Sequence, residues 1–289
     1  LKIFIEKASN LEELSLFLTR LNNQKCSHIG YCGDEAKEIY HTLKDDFTGD
    51  NGDVRFLVAR SNTGEIEAAI GVDIDGDTAE VWGPFNQTSS IQLQHLLWEK
   101  LLQENPKLNV FHFFINKENV QQQIFMDEIK AKVTGEHLLL ELRKEDFGKV
   151  TKMESTLLKE SDFLSFKKLH NQIFPSTYYN ADAIKERLSA VNSLRVLKKK
   201  GKEIQAYAYF EVNSDMAEAS LEYVGVAKAW RNSGLGTKML KEAVTEMFSF
   251  PTIKEIKLVV QYSNGLANHI YFKTGFKQQG RLISYVLKR

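Results

Sequence analysis

The stretch from Ser220 to Leu240, SLEYVGVAKAWRNSGLGTKML, decides how the chain is read. Its opening, SLEYVGV (220–226), reads as a strand. The run TKMLKEAVTEMF (237–248) places Met239, Leu240, Ala243, Val244 and Met247 at three- and four-residue steps, one face of a helix. Between them RNSGLG (231–236) puts two glycines one residue apart behind an arginine. Glycine costs stability wherever the backbone does not need it, so a pair at a strand-to-helix junction signals a close approach. A helix start presents unpaired N–H groups and the positive end of the dipole, a natural seat for phosphate. Gly234 and Gly236 carry no side chain to block that approach, Thr237 adds a hydroxyl donor, and Arg231 supplies charge or braces the loop. The pattern G-x4-G-K-[ST] does not fit around Gly234, and G-x-G-x-x-G fails because Met239 stands where its third glycine belongs. R-x-x-G-x-G after a strand remains. On the motif alone, a pair of capping or packing glycines explains the sequence as well as a phosphate loop does.

Working outward, the chain reads twice. VRFLVAR, EIEAAIGVDI and TAEVWG in the first half have the layout of SLRVLKK, EIQAYAYFEV and MAEASLEYVGV in the second. Asp77–Glu80 falls on Asp215–Glu218, Gly83 on Gly225, Asn119 on Asn264, and Gly135 on Gly280, a slowly rising offset that a duplication with small insertions leaves. Each meander is followed by an amphipathic helix; in the first half this is IQLQHLLWEKLLQE, with Ile91, Leu93, Leu96, Leu97 and Leu101 as its apolar face. A strand (NVFHFFIN, EIKLVVQ), a second helix and a closing strand (HLLLEL, RLISYVL) complete each half. The expected fold class is therefore α/β, two tandem domains, each a mixed, mostly antiparallel sheet flanked by helices. The boundary is expected in RKEDFGKV, giving domains 1–148 and 149–289.

The totals fit this picture. A chain of 289 residues suits two domains of ordinary size. Lys+Arg and Asp+Glu both total 38, so the neutral chain offers no electrostatic case for a nucleic-acid partner or an anionic membrane. No apolar run approaches the ~18 residues of a spanning helix, and LKIFIEKASN at the start has no targeting pattern; the expected location is cytoplasmic. Cys26 and Cys32, with His28 between them and His41 nearby, match no common zinc spacing, so two reduced thiols and no metal are expected.

Two motifs at matching spacing identify a resemblance. SLEYVGVAKAWRNSGLGTKML is similar to the strand, R/Q-x-x-G-x-G/A loop and helix of the GNAT superfamily of acyl-CoA-dependent N-acyltransferases. LVVQYSNGLANHIYFKTGF (258–276) resembles that family's later strand, asparagine, alanine three residues on, aromatic position and terminal Gly-Phe. SFKKLHNQIFPSTYYNADAIKERL (165–188) resembles its two substrate-side helices and their loop. The likeness covers about residues 150–289; the first half matches in layout only. It implies acetyl-CoA as acyl donor, its arm pairing with the backbone of Val224, Gly225 and Val226. The amides of Arg231, Asn232, Ser233, Gly234, Leu235, Gly236 and Thr237 would hold the pyrophosphate, and Asn264 would bond to the arm. Tyr271 would protonate the departing thiolate.

The chemistry agrees. An amine with a pKa near ~10.4 must lose a proton before it attacks a thioester. Glu222, four residues before Val226, shares its face by alternation and is a candidate base; an ordinary surface carboxylate is the competing reading. His170 and His269, each on an expected helix, rank below it. Direct attack in a ternary complex is the expected route, with a small-molecule or peptide amine as acceptor and the loop carrying Phe174, Tyr178 and Tyr179 at its border. The alternatives are a module that binds acyl-CoA without catalysis and an aminoacyl transferase of the tandem GNAT-like type. In the first half the matching turn is FNQTSSIQ (85–92), with no arginine and no glycine pair, and TSS suits a helix cap. That half is expected to be a degenerate copy that does not bind coenzyme.

Overall fold

A computed structural model of the chain describes residues 3–49, 52–148, 152–198 and 203–289. The second-half turn KGK (200–202) lies outside the described residues. In chain order the elements are β1 (Phe4–Lys7), α1 (Leu11–Asn22), α2 (Ala36–Asp45), β2 (Phe56–Arg60), β3 (Ile66–Asp75), β4 (Thr78–Asn86), α3 (Ile91–Glu104), β5 (Val110–Asn116), α4 (Val120–Glu128) and β6 (Lys132–Arg143). Then follow β7 (Thr156–Leu157), α5 (Phe163–Ile173), α6 (Ala181–Arg187), β8 (Ser193–Lys198), β9 (Ile204–Asn213), β10 (Glu218–Val226), α7 (Leu235–Met247), β11 (Glu255–Gln261), α8 (Gly265–Thr274) and β12 (Lys277–Lys288). The chain forms two compact units, 1–138 with 280–289, and 139–279.

In the first unit the sheet runs β1-β2-β3-β4-β5-β12-β6. The β1–β2, β2–β3, β3–β4 and β5–β12 ladders are antiparallel, and β4 beside β5 is parallel over Thr78–Glu80 and Val110–His112. The last strand of the chain thus closes the first unit rather than the second, Leu282–Lys288 pairing with Asn116–Val110. Periodicity identifies RLISYVL as a strand but does not say which strand it joins. Its alternate residues Ile283, Tyr285 and Leu287 pack with Trp98, Phe111 and Phe113, so the aromatic core of this unit captures it. Trp98 meets Phe111 edge-on at 4.9 Å, a favoured aromatic geometry. The buried face of α3 is Leu93, Leu97, Trp98 and Leu101, whereas Leu96, expected inside, is 48 % exposed. Ser90 caps α3, its hydroxyl accepting the Leu93 N–H at 3.3 Å, as the TSS run suggests.

In the second unit β10-β9-β8-β7 form one sheet, and β11 lies beside the end of β6. The division after Leu138 therefore precedes the expected boundary, because the end of β6 belongs with β11. There Leu140 and Leu142 are buried, and the Lys144 N–H donates to the Lys254 carbonyl at 2.8 Å. Met239, Leu240, Ala243, Val244 and Met247 of α7 are all fully buried, the face that their spacing predicts. The same helix buries Glu242, whose carboxylate accepts the N–H groups of Glu154 at 3.1 Å and Ser155 at 2.8 Å. Glu242→Ala would leave two amides without an acceptor. We expect a loss of about 2–3 kcal/mol in thermal or denaturant unfolding, and a smaller loss for Glu242→Gln, which keeps one acceptor oxygen.

Candidate functional site

Strand β10 is the outer strand of its sheet, and among the described residues no ladder joins it to β11. The two strands therefore splay. The Ala227 N–H donates to the Gln205 carbonyl at 2.9 Å, on the β9 side. Backbone groups alternate along a strand, so those of Val226 and Val224 point away from β9, into the splay. The Val226 carbonyl is reached there by Arg231 Nε at 3.3 Å. Gly225 faces inward instead. A Cβ on it would stand 2.4 Å from Tyr207 Cε1 and 2.9 Å from Ile173 Cδ1, so this glycine makes room for the Tyr207 ring.

The glycine turn joins β10 to α7. Asn232 and Gly234 both take left-handed backbone, at φ 60° and 82°. Gly234 is the N-cap of α7, and no side chain caps it. The first amide bonded within the helix is that of Lys238, donating to the Gly234 carbonyl at 3.1 Å. The N–H groups of Leu235, Gly236 and Thr237 are thus left to an outside acceptor. The two glycines serve different ends. A Cβ on Gly234 would meet no atom within 4 Å, so the left-handed φ selects glycine there. A Cβ on Gly236 would lie 2.9 Å from Ile270 Cδ1, so that glycine lets α7 pack against α8. The Ser233 hydroxyl donates to the Trp230 carbonyl and braces the turn.

Asn264 caps α8, its Oδ1 accepting the Ala267 N–H at 3.2 Å, which leaves its Nδ2 donors for a ligand. One face of α8 carries Ala267, Ile270 and Tyr271. The Tyr271 ring meets Phe276 edge-on at 5.6 Å. Burial pushes its phenol above the ordinary tyrosine value.

These pieces enclose a cavity of about 510 Å³. Its walls include Val224 and Val226, the turn from Trp230 to Thr237 except Ser233, and Asn264 and Tyr271. Arg231, His269 and Lys273 also line it, and among the described residues no carboxylate does. Backbone donors at one end and cations without a competing anion suit a polyanionic ligand with an extended apolar arm. Sequence reasoning gave no site role to Trp230, Leu240, Leu266 or Lys273. Their signal is their place inside the two quoted motif stretches.

Glu222 stands apart from this wall. The β9–β10 register shifts between Leu221 and Tyr223, so Glu222 is the extra residue of a bulge and the alternation expected to place it beside Val226 is broken. It accepts the Ser220 hydroxyl and lies outside the cavity lining. Its charge contributes to raising the Tyr179 phenol, after burial and Glu211, which places it toward the α5–α6 loop. His170 is fully buried and structural. Its Nε2 lies 2.9 Å from the Tyr179 carbonyl, which can only accept, so Nε2 carries the proton and Nδ1 accepts the Tyr207 hydroxyl at 2.7 Å. His269 is exposed at the cavity.

The first unit closes the corresponding gap with its own chain. Beyond Glu80 and His112, β4 and β5 part. Between them the Gly30 N–H donates to the Phe114 carbonyl at 2.6 Å, and the Asn116 N–H to the His28 carbonyl at 3.1 Å. Ile29 bridges to Ile115 and is 1 % exposed. Elsewhere, Cys26 is an exposed free thiol and Cys32 a buried one. Among the described residues no group of three or more His, Cys, Asp or Glu could hold a metal ion, and no helix is long and apolar enough to cross a membrane.

Residues 161–276 match the model of the Acetyltransferase (GNAT) family. The second unit thus carries an acetyltransferase domain of that family, a family of acyl-transferring enzymes. Solved structures extend the fold to the whole chain. A GCN5-related N-acetyltransferase from Sphaerobacter thermophilus is similar with TM-score 0.73 and 12 % identity, over 99 % of this chain and 95 % of that one. A tandem GNAT protein from the clavulanic acid biosynthesis pathway has TM-score 0.63 and 12 % identity, over 99 % and 98 %. A GNAT-family acetyltransferase from Colwellia psychrerythraea has TM-score 0.59 and 12 % identity, over 99 % and 100 %. No curated protein matches the chain in sequence.

Proposed function

We propose that the chain transfers an acetyl group from acetyl-CoA to a primary amine of a small molecule or peptide, and that the second unit alone holds the coenzyme. The observation that carries this is the uncapped, left-handed N-terminus of α7 opening into a cavity that Arg231 and Lys273 line and no described carboxylate does. The outward backbone of Val224 and Val226 pairs with the pantetheine arm, the amides of the 231–237 turn hold the pyrophosphate, and Asn264 donates to the arm through Nδ2. Acetyl-CoA supplies an activated thioester. Within the ternary complex the chain moves protons: Glu222, through water from its place outside the cavity lining, takes one from the ammonium, the Tyr271 hydroxyl gives one to the departing sulfur as the C–N bond forms and the C–S bond breaks, and the second proton of the attacking nitrogen returns to the Tyr271 oxygen. In the first unit the His28–Gly30 segment occupies the gap where a coenzyme arm would lie, which supports a silent copy. The position of Glu222 outside the cavity lining favours one second reading, an acyl-CoA-binding module without catalysis.

Calorimetric titration of the whole chain with acetyl-CoA is expected to show one site per chain with micromolar affinity. Two sites would overturn the silent first unit, and no binding would overturn the coenzyme reading.

A further inference from the structure

The α5–α6 loop, Phe174–Asn180, supplies a wall of the cavity through Phe174, beside Ile173 at the end of α5. Such a loop at the mouth of a site is free to swing unless its backbone is tied down. Here it is tied at one residue from both sides. The Tyr179 N–H donates to the Tyr223 hydroxyl at 3.0 Å, and the Tyr179 carbonyl accepts the proton on His170 Nε2 at 2.9 Å. The Tyr223 hydroxyl has a further partner in Thr177 Oγ1 at 2.6 Å, so a second loop residue is held by the same oxygen. His170 is itself fixed by the Tyr207 hydroxyl at 2.7 Å, and Tyr207 lies in the space that Gly225 leaves. The rings close around this array: Tyr223 meets His170 edge-on at 5.0 Å and Phe174 at 5.1 Å. His170, Tyr207 and Tyr223 are all buried, whereas Tyr178, between the two tethered loop residues, is 87 % exposed.

We infer that Tyr223 and His170 are positioning residues: together they clamp the backbone of Tyr179, and so hold the α5–α6 loop as a preformed wall at the β10 end of the cavity. Because Tyr223 follows Glu222 directly in β10, the clamp ties that wall to the strand whose outward edge faces the cavity. The consequence for acceptor binding rests on the function proposed above; the clamp itself does not.

The test is hydrogen–deuterium exchange on the full chain, comparing wild type with Tyr223→Phe, which keeps the ring and removes only the hydroxyl. Peptides spanning 174–180 are expected to exchange at least about tenfold faster, the scale of one lost buried hydrogen bond, while α7 and α8 peptides stay unchanged. Chymotrypsin cleavage after Tyr178 or Tyr179 is expected to rise in parallel, and the acetyl-CoA affinity to stay within about twofold. Thr177→Val, which removes one partner of the same hydroxyl, is expected to give a smaller, equally local change, and serves if Tyr223→Phe does not fold. Wild-type exchange over 174–180 in a folded variant would overturn the clamp. So would a loss of protection spread evenly over β10 and α7, which marks a residue that merely supports the core. Exchange and proteolysis need no ligand, so a failure to bind acetyl-CoA would sink the proposed function and leave this result standing.

Discussion

Replacing Tyr271 with phenylalanine is expected to lower kcat for acetyl transfer by about 10²–10³-fold while the KM for acetyl-CoA stays within about twofold. The ring keeps its contact with Phe276 in the variant, so the cavity wall survives and only the proton donor is lost. Among the described residues the Tyr271 hydroxyl has no hydrogen-bond partner, so the substitution strands no other group. Burial raises the phenol above its ordinary value of ~10, which keeps it protonated across neutral and mildly alkaline pH. The sign follows from the charge. The neutral form is the one favoured in the folded protein, so the donor is fully present below the unfolded-state value and is lost only as pH rises through the higher folded one. The wild-type rate should therefore fall on the alkaline side only above the ordinary tyrosine range, and that fall should vanish in the variant. An unchanged kcat would remove Tyr271 as the acid, and no turnover in the wild type would leave the non-catalytic reading in place.

Gly234→Val is expected to weaken acetyl-CoA binding by at least about 100-fold, measured by the same calorimetric titration. The added side chain meets no atom within 4 Å, so the effect is one of backbone and not of crowding. Valine at φ 82° costs on the order of 1–3 kcal/mol, and the turn relieves that strain by rotating the peptide groups that aim the first amides of α7 at the ligand. Gly234→Asn tolerates the left-handed backbone better and should lose less than about tenfold. Gly236→Val is expected to behave differently. Its Cβ stands 2.9 Å from Ile270 Cδ1, so the end of that side chain must turn aside in the cavity wall, and affinity should fall through crowding and not through backbone strain. Equal affinity in Gly234→Val and wild type would exclude the turn as the phosphate seat.

Periodicity read the second-half helix residue for residue because α7 packs one face on its sheet, with Met239, Leu240, Ala243, Val244 and Met247 all buried. It misjudged α3, where Trp98 belongs to the core and Leu96 does not; a five-residue apolar count leaves the exact face open by one position. Element types were legible, but strand partners were not. The alternation of RLISYVL is a local property, whereas its place beside β5 depends on aromatic side chains far away in sequence. The glycine motif was legible as a turn, yet sequence alone could not separate the conformational role of Gly234 from the packing role of Gly236, nor see that Gly225 shelters Tyr207. Glu222 shows the same limit. A bulge changes the aim of a side chain without changing the pattern of residue types, and alternation counted through it points the wrong way. The pairing of His170 with Tyr207 and Tyr179 was invisible for a similar reason: its partners come from β9 and from a loop backbone.

The placement of β12 bears on how the chain is made. Val110 of the first unit finds its ladder partner in Lys288, so the first unit cannot complete its sheet as it leaves the ribosome. Domains that fold in order of synthesis avoid waiting with open strand edges; this one must hold the exposed side of β5 until β12 has been translated. Its assembly therefore waits on a strand translated after nearly the whole second unit, and synthesis that stops before β12 leaves the earlier unit as the unfinished one.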